Sequence, residues 1–193
     1  MSGGVANRVW LGLLALLLAA GALQAGRGAW IQAKAFFAQV LIAKAWSRTL
    51  RGETQVRPWP WADTWPVARL SVPRLGIDRY ILEGADGSAM AFGPGHARGT
   101  AGPGTAGNSV IGGHRDTHLA FLREVKAGDV IVIERPDGVR LTYRAGRPEV
   151  MDRREVWVME QAGPTRLTLV TCYPFDALRA GGPLRYVLLA FLS

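Results

Sequence analysis

The sequence predicts a mainly β domain, a sandwich or a barrel, standing behind a single apolar N-terminal helix. Three observations carry that prediction. The run Val9–Leu23 reads VWLGLLALLLAAGAL and holds no charge. From Ala68 the chain breaks into short runs of β-formers separated by Gly, Pro and Asp. Two of those runs flank Arg135-Pro136-Asp137-Gly138, a strong hairpin signal.

Length and composition fit this picture. A chain of 193 residues holds one ordinary domain plus an appendage. With 49% apolar and 20% charged residues, a packed core is within reach and global disorder is excluded. The single cysteine, Cys172, rules out an intramolecular disulfide and a thiolate-rich zinc site. The net charge of +8 divides unevenly. Residues 1–52 carry six basic residues and no acid, while residues 53–193 carry the other 17 against all 15 acids. The body is therefore only +2 and lacks the basic excess that nucleic-acid binding requires.

Val9–Gly26 supplies 18 nearly charge-free residues, close to the roughly 20 that a membrane span needs. An uncleaved signal anchor competes with a cleavable signal peptide ending near Ala20-Gly21-Ala22. The length of the run favours the anchor. Lys and Arg counts on the two sides nearly tie, so charge alone does not orient the span. Gly28–Leu50 carries a helical amphipathic pattern (Trp30, Phe36, Phe37, Val40, Leu41, Trp46). It reads as a spacer, with an interfacial helix as the alternative. Residues 52–66 hold three prolines and three tryptophans, which end the helix. This linker either packs its tryptophans on the domain or serves as a lid or membrane-interface belt. The organisation expected is thus an anchor over 1–27, a spacer and Trp/Pro linker over 28–66, and a body over 67–193.

Within the body the expected strands are Ala68–Val72, Ile77–Leu82, Asn108–Gly112, Asp129–Glu134, Val139–Ala145, Pro148–Met151, Arg166–Thr171 and Leu184–Phe191. Asp86–Ala91 and Thr117–Arg123 read as short helices. Gly93–Gly107, with six glycines and two prolines, reads as a loop. Regular short strands with turn punctuation argue for a sandwich or barrel. The chain has no Gly-x-Gly-x-x-Gly after a strand, no phosphate loop, no His-Glu-x-x-His and no internal repeat.

Three strand ends carry chemistry. Thr168-Leu169-Val170-Thr171-Cys172-Tyr173-Pro174 closes a β-run at the only cysteine. A free cysteine is usually a small buried hydrophobe, but one at a strand mouth beside a chain-breaking turn is well placed to react. Val110-Ile111-Gly112-Gly113-His114 ends another β-run in two glycines and a histidine. Glycines admit close backbone or substrate approach. His96 and His118, the other two histidines, read as structural or rim residues. Arg185 opens the last apolar run. Together His114, Cys172 and Arg185 suit a thiol acyl transferase. A thiolate attacks, and its population rises beside a cation. A histidine protonates the leaving amine. An arginine donates two hydrogen bonds to a carbonyl or oxyanion.

At these residues the sequence resembles the sortases, the cysteine transpeptidases that anchor proteins at bacterial surfaces. The signature Thr-Leu-x-Thr-Cys stands at Thr168–Cys172. The histidine lies upstream in Gly-His-Arg-Asp, and Arg185 follows on the last strand. Gly93-Pro94-Gly95-His96 and Asn108-Ser109-Val110-Ile111 also look sortase-like. The resemblance covers about Ala68–Ser193, and the subgroup most similar is the small sortases of Gram-negative bacteria. It implies a closed eight-stranded β-barrel with short helices, preceded by the N-terminal hydrophobic helix. It implies Cys172 as nucleophile, His114 as general acid/base and Arg185 as the group positioning substrate and oxyanion. The implied partners are an exported protein bearing a C-terminal Leu-Pro-x-Thr-Gly-like sorting signal, cleaved between Thr and Gly, and an amine acceptor. Thr171 is an auxiliary candidate through hydrogen bonding. Asp116 either orients His114 or Arg115, or caps a helix. No cofactor or metal is implied, since no acidic cluster reads as a calcium site. A sorting enzyme must meet exported proteins, so the expected location is the cytoplasmic membrane with a single span and the body facing the periplasm or exterior.

Other classes fit less well. Papain-like proteases place a helix-borne cysteine before the histidine, the reverse of the order here. An L,D-transpeptidase carries a Ser-His-Gly-Cys type motif, whereas this chain reads Val-Thr-Cys-Tyr. A membrane-anchored binding barrel with an inert Cys172 predicts a thiol that does not alkylate.

Overall fold

A computed structural model describes residues 3–161, 163–177, 179 and 181–193. The chain divides into two units, the first ending at Val40 and the second spanning Leu41–Ser193.

The first unit is helical throughout its described residues. Helix α1 (Gly3–Thr49) continues unbroken across the boundary between the expected anchor and spacer. No proline interrupts residues 3–49, so nothing in the sequence stops the hydrogen-bond ladder. Its 47 residues extend about 70 Å at 1.5 Å per residue, more than twice a bilayer's hydrocarbon thickness of about 30 Å. Trp10, Leu14, Leu17, Leu18 and Leu23 are all exposed. Among the described residues α1 is the one helix able, by length and composition, to cross a membrane, with a mean hydropathy of 1.4.

The C-terminal turns of α1 belong to the second unit. Ile42 and Trp46 are buried, and Ile42 packs with Leu82, Ala89, Trp59, Tyr80 and Phe92. The helix stops in a Schellman motif. Gly52 adopts φ 94°, its N–H donates to Thr49 O at 2.9 Å, and the Glu53 N–H donates to Arg48 O at 3.3 Å. Arg48 then pairs with the Glu53 carboxylate. The Trp/Pro linker follows. Trp59 meets Phe92 edge-on at 4.9 Å between ring centroids, and the Thr64 hydroxyl donates to Glu83 O at 2.7 Å. Two of the three linker tryptophans, Trp59 and Trp65, are half-buried, but Trp61 is 82% exposed.

The remainder is a closed eight-stranded β-barrel. Its strands are β1 (Pro66–Val72), β2 (Ile77–Glu83), β3 (Gly95–His96), β4 (Asn108–Gly113), β5 (Val130–Glu134), β6 (Arg140–Ala145), β8 (Arg166–Tyr173) and β9 (Leu184–Leu192), with β7 (Glu149–Asp152) outside the ring. The order round the ring is β6, β5, β1, β2, β3, β4, β8, β9, closed by β9 pairing back on β6. The β2–β3 and β4–β8 pairs are parallel and the other ring pairs antiparallel. On one edge β9 pairs with β8. On the other, Leu184–Val187 pairs with β7 and Ala190–Leu192 with β6.

Alternation fills the barrel. Ala68, Leu70 and Val72 of β1, Ile131 and Ile133 of β5, Leu167 and Leu169 of β8, and Leu188 and Ala190 of β9 are buried in one core. Each large side chain of that set contributes about 1.5–3 kcal/mol by leaving water. A second cluster lies on the outer face, where Met151, Val158 and Val187 pack with Val170, Trp157 and Leu189.

The strand count holds but its membership shifts. The run expected at Pro148–Met151 becomes β7, outside the ring. The eighth ring strand is β3, inside the segment expected to be a loop. Two residues without a β-former run give no sequence signal. What permits β3 is close backbone approach, since a Cβ on Gly95 would stand 2.1 Å from Gly84 O. The expected helix Asp86–Ala91 shrinks to one turn, α2 (Gly87–Met90). The helix expected at Thr117–Arg123 is a turn followed by a 3-10 helix, Ala120–Glu124. Further 3-10 helices occupy Pro73–Leu75 and Val156–Met159.

Candidate active site

The three strand ends singled out in the sequence converge on neighbouring strands. Cys172 of β8 and Arg185 of β9 are direct ladder partners. Side chains so paired have Cβ atoms about 4.5–5.5 Å apart. Thr171 pairs with Gly113 at the end of β4. Because β4 and β8 run parallel, the next residue, His114, leaves β4 beside Cys172. Strand β8 continues one residue past the cysteine to Tyr173, so Cys172 is its penultimate residue.

Alternation decides which way each side chain points. Thr171 shares the inward register of Leu167 and Leu169, and Tyr186 that of Leu188. Cys172 and Arg185 share the outward register of Val170 and Val187, which belong to the outer cluster. The free cysteine is half-buried, and so is Arg185. His114 and Asp116 are exposed.

Hydrogen bonds show which groups are committed. Arg185 donates through one Nη to Gly182 O at 2.8 Å and Leu184 O at 2.9 Å. This holds the guanidinium against the hairpin while the rest of the fork makes no hydrogen bond among the described residues. The Thr171 hydroxyl, 2% exposed, donates to Gly113 O at 2.7 Å. It thereby ties β8 to the peptide immediately before His114. The His114 carbonyl accepts from Leu119 N at 3.0 Å. Its imidazole makes no hydrogen bond among the described residues. Asp116 makes no side-chain hydrogen bond or ion pair there either, and the N-cap of the following 3-10 helix is Leu119. The glycine beside the histidine has a packing reason: a Cβ on Gly113 would stand 2.7 Å from Leu119 Cγ. It is the core that approaches Gly113.

The other histidines are occupied elsewhere. His96 is 7% exposed, with Nδ1 3.3 Å from Glu83 and Nε2 near Ala101 O and the Thr100 hydroxyl. His118 lies 3.5 Å from Ala91 O. Burial pushes its pKa below the ordinary histidine value, partly offset by that carbonyl. Among the described residues no group of three or more His, Cys, Asp or Glu side chains gathers to hold a metal ion.

Several residues frame the site through contacts that motif reading does not reveal. Arg115 is 7% exposed and donates through Nη2 to Ala177 O and Arg179 O, each at 2.7 Å. Tyr173, Phe175 and Tyr186 form an aromatic cluster at the mouth of the barrel, with Arg123 over Phe175 at 5.1 Å. Burial raises the Tyr186 pKa, so its phenol stays protonated. Asn108 is fully buried and fully bonded. Its amide donates to Val158 O (2.7 Å) and Glu160 O (3.0 Å), and its oxygen accepts from the Thr168 hydroxyl (2.7 Å). It pins the β7–β8 connection onto the outer side of the barrel. The signal for Arg115 was its place after Gly-Gly-His, but an arginine's burial is not readable from neighbours in sequence.

The fold agrees with known proteins. A family model for the sortase domain matches residues 70–193. Sortase D of Bacillus subtilis (strain 168) is 29% identical over 120 residues, a match covering 62% of this chain and spanning 60% of that relative's length. The solved Clostridium perfringens sortase D5 transpeptidase is similar at a TM-score of 0.58 and 27% identity, over 67% of this chain and 79% of its own. The catalytic domain of B. anthracis SrtD matches at a TM-score of 0.56 and 33% identity, over 66% of this chain and 87% of its own.

Proposed function

The chain belongs to the sortase family, and on that premise we propose that it is a cysteine transpeptidase acting on a C-terminal Leu-Pro-x-Thr-Gly-like sorting signal. The observation that carries the proposal is the ladder itself. Cys172 stands directly opposite Arg185, and His114 directly follows Gly113, the ladder partner of Thr171. Residues carrying a thiol, an imidazole and a guanidinium thus lie at neighbouring ends of three adjacent strands, β8, β4 and β9.

The chemistry assigned to each follows from its properties. The Cys172 sulfur attacks the Thr carbonyl of the signal, and the developing oxyanion accepts hydrogen bonds from Arg185. His114 protonates the leaving Gly amine as the C–N bond breaks, leaving a thioester on Cys172. An acceptor amine then attacks the thioester, gives up a proton to His114, and releases the thiolate with a new amide formed. Thr171 serves this arrangement by holding Gly113 in place. Asp116 is the carboxylate nearest His114 in sequence, and the kinetics of Asp116→Ala decide whether it orients the imidazole. Unchanged kcat/KM would remove it from the mechanism.

Residues 1–27 are assigned to a membrane anchor, 28–66 to the spacer and linker, and 67–193 to catalysis. The catalytic part is placed outside the cytoplasmic membrane, where exported substrates are found. Protease accessibility in spheroplasts tests this, and a protected body would refute it.

The activity test uses the full chain in detergent, beside Cys172→Ala. Each is incubated with a quenched Leu-Pro-x-Thr-Gly peptide, with and without added amine, and the products are read by mass spectrometry. The expected result is Thr–Gly cleavage that requires Cys172, with the acyl group found on the amine. A folded protein that neither cleaves nor alkylates at Cys172 would favour the inert binding barrel.

A further inference from the structure

We infer that Arg115 is a positioning residue for this reaction, holding the β8–β9 connection in register with His114. The inference rests on the transpeptidase reading for its functional half. Its structural half stands on Arg115 alone.

A guanidinium cannot shed its charge in a protein and brings five donors. Burying it is costly unless those donors are matched. Arg115 is nevertheless only 7% exposed. One terminal nitrogen makes two bonds of 2.7 Å, to Ala177 O and Arg179 O. Among the described residues the other terminal nitrogen is buried with no partner. An unmatched buried donor calls for an explanation beyond stability, since an apolar side chain would fill the same volume without that cost.

The explanation lies in what the bonds join. Arg115 follows His114 directly. Its carbonyl partners lie 62 and 64 residues later, in the connection that leaves β8 just after Cys172. The far end of the same connection is gripped by Arg185, through Gly182 O and Leu184 O. Two guanidinia therefore hold this connection, Arg115 at its middle through Ala177 and Arg179, and Arg185 where it rejoins β9. One adjoins the general acid in sequence and the other is assigned to the oxyanion. Releasing the Arg115 bonds frees the connection and the His114 segment from one another. A small misplacement of catalytic groups lowers turnover far more than it lowers binding.

The test compares the full chain in detergent with Arg115→Met, which keeps a buried unbranched stem, and Arg115→Lys, which keeps a charge able to donate to both carbonyls. Two readouts are taken: hydrogen exchange of amides in 174–183, and the kcat and KM for the quenched peptide. Arg115→Met is expected to speed exchange in 174–183 about tenfold, leaving β1, β2 and β5 unchanged. It is expected to lower kcat on the order of 30-fold with KM within about threefold, in line with the cost of misplaced catalytic groups. Arg115→Lys is expected to restore most of both. Unchanged exchange in 174–183 overturns the inference. So does a uniform rise across the barrel that lysine does not rescue, because that is the mark of a merely structural residue. Should the wild-type chain show no Cys172-dependent cleavage, the transpeptidase reading fails and takes the catalytic half with it. The exchange measurement, which needs no substrate, still decides whether Arg115 holds the connection.

Discussion

Asn108→Ala probes the polar joint behind the site. Asn108 makes three hydrogen bonds, all among groups shielded from water to different degrees. Glu160 is exposed, so its carbonyl can turn to water after the substitution. Val158 O and the Thr168 hydroxyl cannot, because Val158 is 8% exposed and Thr168 is fully buried. Two orphaned polar groups at about 1–3 kcal/mol each give a loss of about 4 kcal/mol. For a chain of this size that corresponds to a fall of about 10 °C in Tm. The assay is thermal unfolding of the full chain in detergent, followed by near-UV circular dichroism. Thr168→Val should cost less, about 1–2 kcal/mol, since it orphans only the Asn108 oxygen. The double variant should be milder than the sum of the two singles by at least about 1 kcal/mol, because the bond between them is lost only once. Asn108→Asp should be no better than alanine, as it turns a negative oxygen toward two carbonyls. A Tm shift under about 3 °C for Asn108→Ala, or strict additivity with Thr168→Val, would refute this account of the joint.

Further outcomes follow from other contacts. Thr171→Val removes the donor to Gly113 O; stability should fall by about 1–2 kcal/mol and peptide-cleaving kcat by roughly tenfold, measured by calorimetry and initial rates. Gly95→Ala drives a Cβ into the Gly84 carbonyl and the Ala85 Cα, so the barrel should lose about 3 kcal/mol or more, read as loss of folded protein on expression. Asp129 is held at a pKa of about 2, chiefly by the Arg74 guanidinium and then by the Lys126 N–H. Its folded pKa lies below its ordinary value, so its stabilisation is complete above about pH 4 and is lost as pH falls toward 2. Asp129→Asn should therefore lower Tm at pH 6 and converge with wild type near pH 2, and a constant gap would contradict the assignment.

The barrel was largely legible because its walls follow period two. Ala68, Leu70 and Val72, and likewise Ile131 and Ile133, write their inward register into the sequence. The candidate site was legible because its three groups sit at strand ends, where a β-run stops at a chemically distinctive residue. The ladder then accounts for why residues 114, 172 and 185 are neighbours, which spacing alone does not reveal. What escaped was set by tertiary contact. β3 exists because Gly95 lets two backbones touch, and Arg115 is buried because a segment more than sixty residues away covers it. Gly112 and Gly113 read as a place for close backbone or substrate approach, and at Gly113 it is the Leu119 side chain that comes close. The helix expected at residues 117–123 failed for a local reason, since the turn after His114 uses those residues to bring Leu119 N back to the His114 carbonyl.

The position of β9 has a consequence for how the chain folds. It follows all the other strands in sequence, and it alone pairs with three of them, β6, β7 and β8. The contacts that shut the ring join residues about fifty apart, such as Tyr143 and Leu192, and such closures are slow because loop entropy must be overcome first. A nascent chain held short of Leu184 therefore has β6 and β8 each lacking a partner on one edge and, among the described residues, β7 without a strand partner, and no partial barrel can stand in for the finished one. Cys172 and Arg185 become neighbours only once β9 pairs with β8, so the thiol acquires its guanidinium with the last strand.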